Sequence, residues 1–414
     1  PSPTASHTST PHPVRAFAAR LNGESEVPPV PTEGRGVGHF LLNPAETAIQ
    51  VNARYLHLSS AATTITINGP AMAGENAPVI FTLTLPPPTH STTRQTFDIT
   101  PEHLSQLRTG LWYLQIATAN HPDGEIRGQI HSINRRDDFD GDGVSDISVT
   151  RGSDAGAFSW YILNSSESTV SHASIGQAGD LNVQGDYDGD GRADVSMFTP
   201  HTGTWQIRGS LTHQSVSYHW GMDGDIPVVG DYDGDGINDL AVFRPSDGNW
   251  YIRRSSDMGV TAIHWGTNGD RPVSGDFDGD GRNDLAVFRP SDGNWYINQS
   301  SDGQFVSMHW GMNGDRPVAG DFDGDGASDI AVFRPSEGNW YIYRSSDGQF
   351  TALPFGLAAD APVPCEFDGD GITDIAVFRP SDGNWYIAYS SDESIGAYHF
   401  GLSTDHPAAT VYVP

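Results

Sequence analysis

Carboxylates recur through the last two-thirds of this chain in one pattern, Asp-x-Asp-x-Asp-Gly-x-x-Asp. The copies place acidic side chains at Asp138, Asp140, Asp142 and Asp146, and at Asp186, Asp188, Asp190 and Asp194. They continue at Asp231, Asp233, Asp235 and Asp239, and at Asp276, Asp278, Asp280 and Asp284. The last two run through Asp321, Asp323, Asp325 and Asp329, and through Glu366, Asp368, Asp370 and Asp374. Successive copies start 48, 45, 45, 45 and 45 residues apart. Alternate residues of a tight loop point at one centre, and the glycines permit the sharp turn. Four carboxylates brought together repel unless a hard cation sits among them, and an oxygen-only ligand set suits Ca2+. The expected ligands are positions 1, 3, 5 and 9 with the position-7 carbonyl, and the expected load is five or six structural ions.

An EF-hand also begins Asp-x-Asp-x-Asp-Gly, but it needs a bidentate Glu at position 12 and flanking helices. Position 12 from Asp276 is Val287, inside the strand-like run LAVFRP. The EF-hand reading therefore fails. In the sixth copy Glu366 carries one extra methylene, so altered or weaker binding is expected there. A catalytic metal keeps open positions over a cleft, whereas this ligand set is supplied wholly by the protein. No nucleophile elbow, His-Glu-x-x-His, Walker loop or redox pair is present, and the expectation is that the chain is not an enzyme.

The elements that must hold these loops follow from one unit, GDRPVAGDFDGDGASDIAVFRPSEGNWYIYRSSDGQFTALPFG. Strands are expected at 317–320, 330–334, 339–344 and 349–355, where β-branched and aromatic residues fill the runs. Pro-Ser-Glu-Gly and Ser-Ser-Asp-Gly make the turns. Four antiparallel strands per 45 residues mark a propeller blade. The array resembles the FG-GAP/VCBS-type repeats of integrin α-chains and bacterial surface proteins. That resemblance implies that the acidic loop joins the first two strands of each blade and binds Ca2+. Trp250, Trp295, Trp340 and Trp385, in Asn-Trp-Tyr-Ile, and Trp220, Trp265 and Trp310, in His-Trp-Gly, are expected to pack between blades. Arg244, Arg289, Arg334 and Arg379 are expected to fork onto a neighbouring acidic loop. The final residues, from Asp405, repeat a first strand without its loop, while the first unit lacks one. Residues 408–413 are therefore expected to complete blade one and close a six-bladed ring.

Residues 16–131 carry short alternating strands at 48–55, 78–85 and 111–118, and one helix at 100–107 capped by Thr100. They read as a β-sandwich or Greek-key domain. Residues 21–36 (LNGESEVPPVPTEGRG), 68–81 (NGPAMAGENAPVIF) and 110–130 (GLWYLQIATANHPDGEIRGQI) resemble the chordin-type CHRD domain. The resemblance implies an extracellular β module without catalysis. Histidines that many members carry are Thr66, Asn68 and Ala117 here, so no histidine metal site is carried over. Residues 1–15 form a Ser/Thr/Pro-rich arm.

The formal charge of -30 excludes a nucleic-acid partner, whose phosphates call for basic side chains. The loops supply 24 of the 52 acidic residues, and six Ca2+ would bring the balance to about -18. Cys365 stands alone, so no intrachain disulfide forms. No apolar run is long enough for a membrane helix. The chain begins at Pro1, as a product of signal-peptide removal does, and Asp loops of this kind suit calcium-rich surroundings. The expectation is an all-β, secreted, cell-surface protein with structural or adhesive work, a subunit of an extracellular filament or matrix. Its partners would be other copies of itself or other surface proteins. The alternative is a propeller lectin that stacks glycans on the recurrent tryptophans.

Overall fold

The computed structural model describes residues 16–43, 45–72, 74–85, 92–108, 110–132, 136–152 and 156–408. The N-terminal arm, residues 1–15, lies outside them. The first domain is one antiparallel sheet. Its strands are β1 (Ala16–Asn22), β2 (Arg35–Leu42), β3 (Ala48–Leu56), β4 (Ala62–Asn68), β5 (Val79–Leu83), β6 (Thr92–Asp98), β7 (Tyr113–Thr118), β8 (Ile126–Gln129) and β9 (His131–Ser132). The order across it is β5-β4-β7-β8-β1-β2-β3-β6, with β9 beside β1. Its outer edges meet, because the Thr93 hydroxyl donates to the Thr84 carbonyl at 2.8 Å. The Thr84 N–H also donates to Gln95 Oε1 at 2.9 Å. The sheet is thereby barrel-like. Alternation in β3 turns Ile49, Val51 and Ala53 inward, where they join Phe17, Phe40, Trp112 and Leu114 in one core. Helix α1 (Pro101–Arg108) starts one residue beyond the expected cap, with the His103 N–H on Thr100 Oγ1 at 3.2 Å.

The second domain is six four-stranded antiparallel sheets. The unit read above forms Arg316–Gly320, Asp329–Arg334, Asn339–Tyr343 and Phe350–Pro354, within a residue or two of the expected runs. The Pro-Ser-Glu-Gly turn needs its glycine: Gly338 has φ +68°, and a Cβ there would meet the Gly356 carbonyl oxygen at 2.4 Å.

Apolar clusters span adjacent blades. Val318, Ala331, Phe333, Trp340 and Ile342 pack with Val377 of the following blade. Trp250, Trp295, Trp340 and Trp385 are fully buried. Each uses its ring N–H within its own blade, as Trp295 does on the Trp310 carbonyl at 2.9 Å. Trp220, Trp265 and Trp310 are half-buried and reach into the next blade, donating to the carbonyls of Tyr251, Tyr296 and Tyr341 at 3.1–3.2 Å. A buried tryptophan N–H usually finds a partner, and all seven do, whereas Trp160 of blade one, itself fully buried, has no acceptor among the described residues.

Blade one comprises Ile147–Gly152, Ala157–Leu163 and Val170–Gln177, with the C-terminal strand His406–Pro407 as its innermost member. Pro407 stands opposite Val149, and the Ala408 N–H donates to the Ser148 carbonyl at 2.9 Å. The pairing sits slightly earlier than residues 408–413, and residues 409–414 lie outside the described set. The register is fixed by Asp405, whose carboxylate takes both Arg151 Nε at 2.7 Å and Nη2 at 2.6 Å. Ile147 and Val149 also pack with Val363, Phe378 and Trp385 of blade six. A strand and an apolar cluster therefore join the two ends of the ring.

Candidate metal centres

In blades two to six the acidic segment links the innermost strand to the second. In blade one it leads directly into the second strand, Ile147–Gly152, because the innermost strand comes from the C-terminal segment. The glycines of each acidic segment take positive φ, as at Gly324 (+76°) and Gly326 (+92°), which turns the chain back over the first carboxylate. Asp321 Oδ1 then accepts N–H groups from Gly324 at 2.5 Å and Asp325 at 3.1 Å, and its Oδ2 accepts Gly326 at 2.8 Å. The same fold of the loop repeats around Asp138, Asp186, Asp231 and Asp276.

The position-9 carboxylates lock the loops in place. In all six, one oxygen accepts the N–H of position 2 and the other an N–H from the turn between the third and fourth strands. These bonds, at Asp146, Asp194, Asp239, Asp284, Asp329 and Asp374, are 2.6–3.0 Å long. That turn carries a Ser-Ser pair in five blades and Ser210-Leu211 in the second. Ser345 Oγ donates to Asp325 at 2.9 Å and Ser346 Oγ to Asp323 at 2.6 Å. Ser165 and Ser166, Ser255 and Ser256, Ser300 and Ser301, and Ser390 and Ser391 bond their own loops in the same way. In the sequence these serines read only as turn formers. Their recurrence at a constant offset from the acidic motif was the available signal.

The loops are also joined to one another. The position-8 N–H of each donates to the position-1 carbonyl of the loop before it. The donors Ala193, Asn238, Asn283, Ser328, Thr373 and Ser145 reach Asp138, Asp186, Asp231, Asp276, Asp321 and Glu366 at 2.6–2.7 Å. This circuit closes on itself, and Glu366 takes part through its backbone, so the longer side chain does not break it. Its Oε1 accepts the N–H groups of Asp368 and Gly369.

Three carboxylates come within 4.8 Å of one another at Asp138, Asp140 and Asp146, at Asp186, Asp188 and Asp194, and at Asp231, Asp233 and Asp239. In the fourth and fifth loops the converging sets are Asp276, Asp278 and Asp280, and Asp321, Asp323 and Asp325. Three of the four expected side chains therefore converge in these loops, with position 5 or position 9 standing aside. Burial and neighbouring carboxylates push Asp138 up to about 8 and Asp321 to about 7. Burial likewise lifts Asp329 to about 8, against its amide bonds. Acids held this far above their ordinary range lack a counter-charge. An all-oxygen donor set of this density fits a hard divalent cation.

The arginine forks differ from expectation. Arg244, Arg289, Arg334 and Arg379 do not reach a neighbouring acidic loop. They clasp Asp225, Asp270, Asp315 and Asp360, the aspartate that precedes the innermost strand of the same blade. Each guanidinium uses Nε and Nη2, as in Arg334 to Asp315 at 2.8 Å twice. The second strand runs antiparallel to the first, so its last residue lies beside the residue before the first strand and at the opposite end from the acidic loop. His264 and His309 are exposed, with Nδ1 3.1 Å from Asn249 Oδ1 and Asn294 Oδ1.

A barrel-like β domain followed by a loop-bearing six-bladed propeller is thus the class of protein at hand. Residues 17–130 match the CHRD domain, and residues 231–287, 276–332 and 321–377 match the FG-GAP-like repeat. The chain carries a CHRD domain followed by FG-GAP-like repeats. No curated protein matches it. Among solved structures it is similar to an Agrocybe aegerita lectin that recognises non-reducing terminal N-acetylglucosamine. That pair shares 16% identity over 62% of this chain and 82% of the lectin, with a TM-score of 0.42. It is also similar to apo AztD from Citrobacter koseri, at 10% identity over 70% and 92%, TM-score 0.39. An auxiliary nutrient binding protein from Bacteroides ovatus aligns at 9% identity over 87% and 95%, TM-score 0.35. At these scores the likenesses carry no functional implication.

Proposed function

We propose that this propeller with FG-GAP repeats, an architecture that fits a surface or binding protein, is a secreted, calcium-binding structural or adhesive protein, in which the ions stiffen the ring and take no part in chemistry. The observation that carries this reading is the closed circuit of the six loops. Every loop is bonded to its neighbours through backbone groups and to its own blade through the serine turn. Whatever fixes a loop therefore fixes the blade boundary. Asp138, Asp140 and Asp146 and their counterparts would hold the ion, supplying charge neutralisation at a fixed point. Sites built from Asp loops of this sort suit millimolar rather than cytosolic Ca2+, which supports the extracellular reading.

Assembly is the second part of the proposal. The outermost strand of each blade is an open edge, and Val260, Phe305, Phe350 and Ile395 on these strands are 57–67% exposed. Open, apolar edges invite strand addition. The Ser/Thr/Pro-rich arm of another copy would be the added strand, and contacts that do not close propagate as filaments. A glycan-binding role draws less support, since the Asn-Trp-Tyr-Ile tryptophans are buried and cannot stack on sugars. Metal analysis of untreated protein should find five or six Ca2+ per chain, and electron microscopy in calcium should show ordered assemblies. A metal-free, strictly monomeric protein that binds on a glycan array would replace this reading with the lectin.

A further inference from the structure

The N-terminal sheet rests on the acidic rim of the propeller. From β1, the Arg20 guanidinium stands 2.5 Å from Asp276 Oδ2 and donates to the Gly326 carbonyl. From β3, Arg54 donates to the Asp323 carbonyl, and Asn52 to the Asp370 carbonyl at 3.4 Å. The fourth, fifth and sixth loops therefore lie against this sheet. In the third, Gly234, Asp235 and Gly236 face solvent.

These contacts are chemically unequal. Arg54 and Asn52 hold backbone carbonyls that no ion needs to displace. Arg20 holds a carboxylate oxygen of Asp276, the first member of its cluster. The fourth loop has a second guanidinium as well, since Arg282 Nε and Nη2 reach Asp280 Oδ2 at 3.1 and 2.8 Å. The position-7 residue is Val144, Ile237, Ala327 or Ile372 in the first, third, fifth and sixth loops. In the second loop it is Arg192, whose Nε would lie 3.0 Å from a Cβ placed on Gly141 of the first loop. Two of the three carboxylates that converge in the fourth loop are thus already engaged by the chain's own cations.

We propose that Arg20 and a divalent cation compete for Asp276, so that docking of the N-terminal sheet and occupancy of the fourth loop oppose each other. The proposal rests on the calcium reading above. A doubly charged ion and a guanidinium sharing one carboxylate repel, and linkage makes the effect reciprocal. Calcium loosens the Arg20 contact, and docking weakens calcium at that loop. The sheet then acts as a cap that grips most firmly when the fourth loop is empty.

The test is a calorimetric Ca2+ titration of the full chain, comparing wild type with Arg20→Ala, Arg20→Lys and Arg108→Ala. Arg108 pairs with Glu46 in the same domain and serves as the control. Arg20→Ala should tighten one site about tenfold, within the usual range of such couplings, and leave the others unchanged. Arg20→Lys, which keeps the charge, and Arg108→Ala should titrate like wild type. Small-angle scattering on wild type should show the particle expand as the weakest site fills, and Arg20→Ala should expand without that dependence. Identical isotherms for wild type and Arg20→Ala overturn the proposal while the calcium reading stands. Absence of uptake by both proteins overturns the two together.

Discussion

Held free of metal, the protein should lose stability as pH rises, against the usual behaviour of carboxylates. In the metal-free protein Asp138 is raised to about 8 and Asp321 to about 7, first by burial and then by their acidic neighbours. In the unfolded chain both return to the ordinary range near 4. Between pH 5 and pH 7 the folded protein thus holds a proton on each that the unfolded chain has released. Stability must then drop with rising pH, by roughly 1.4 kcal/mol per unit for each group. Over two units these two aspartates alone remove roughly 5 kcal/mol, comparable with the whole stability of many domains. Asp186, Asp194, Asp284 and Asp329 add in the same direction. Saturating Ca2+ should abolish the slope, because the ion takes the place of the protons. The assay is differential scanning calorimetry on metal-depleted protein at pH 5, 6 and 7, with and without millimolar Ca2+. A metal-free Tm that stays level or climbs across this range would refute the account of the loops as uncompensated carboxylates.

Three further outcomes follow from the geometry. Replacing Arg334 by Ala leaves Asp315, 1% exposed, without its fork, and should cost about 3–5 kcal/mol in urea unfolding; a loss under 1 kcal/mol would mean the pair is ornamental. Ser345→Ala and Ser346→Ala each delete one hydroxyl bond to the fifth loop and should lower stability by about 1 kcal/mol while weakening calcium at one site only. An isotherm unchanged in both variants would separate the serines from the metal. Deleting residues 405–414 removes the innermost strand of blade one and the partner of Arg151, and should yield aggregation on size-exclusion chromatography. A monomeric, equally stable truncation would show that the ring does not depend on this closure.

Much of the architecture is written in local patterns. The 45-residue period, the strand runs and the turn glycines are short-range signals, and they define six blades, the spare first strand at the C-terminal end and the gap it fills in the first unit. The carboxylate spacing likewise announces six loops, because a loop's own residues make its cavity. The sequence did not reveal what each side chain meets across the fold. The serine pair reaches carboxylates 20 and 23 residues away, and Arg334 finds Asp315 at 19. Both choices depend on which end of an antiparallel sheet a residue occupies, and one-dimensional spacing does not encode that end. The circuit of loops requires six blades already in a ring, with Ser145 meeting Glu366 only after closure. The contact of Arg20 with Asp276 lies furthest from the sequence. It depends on how two separately folded domains face each other, and only the tertiary structure could place that positive charge on the acidic rim.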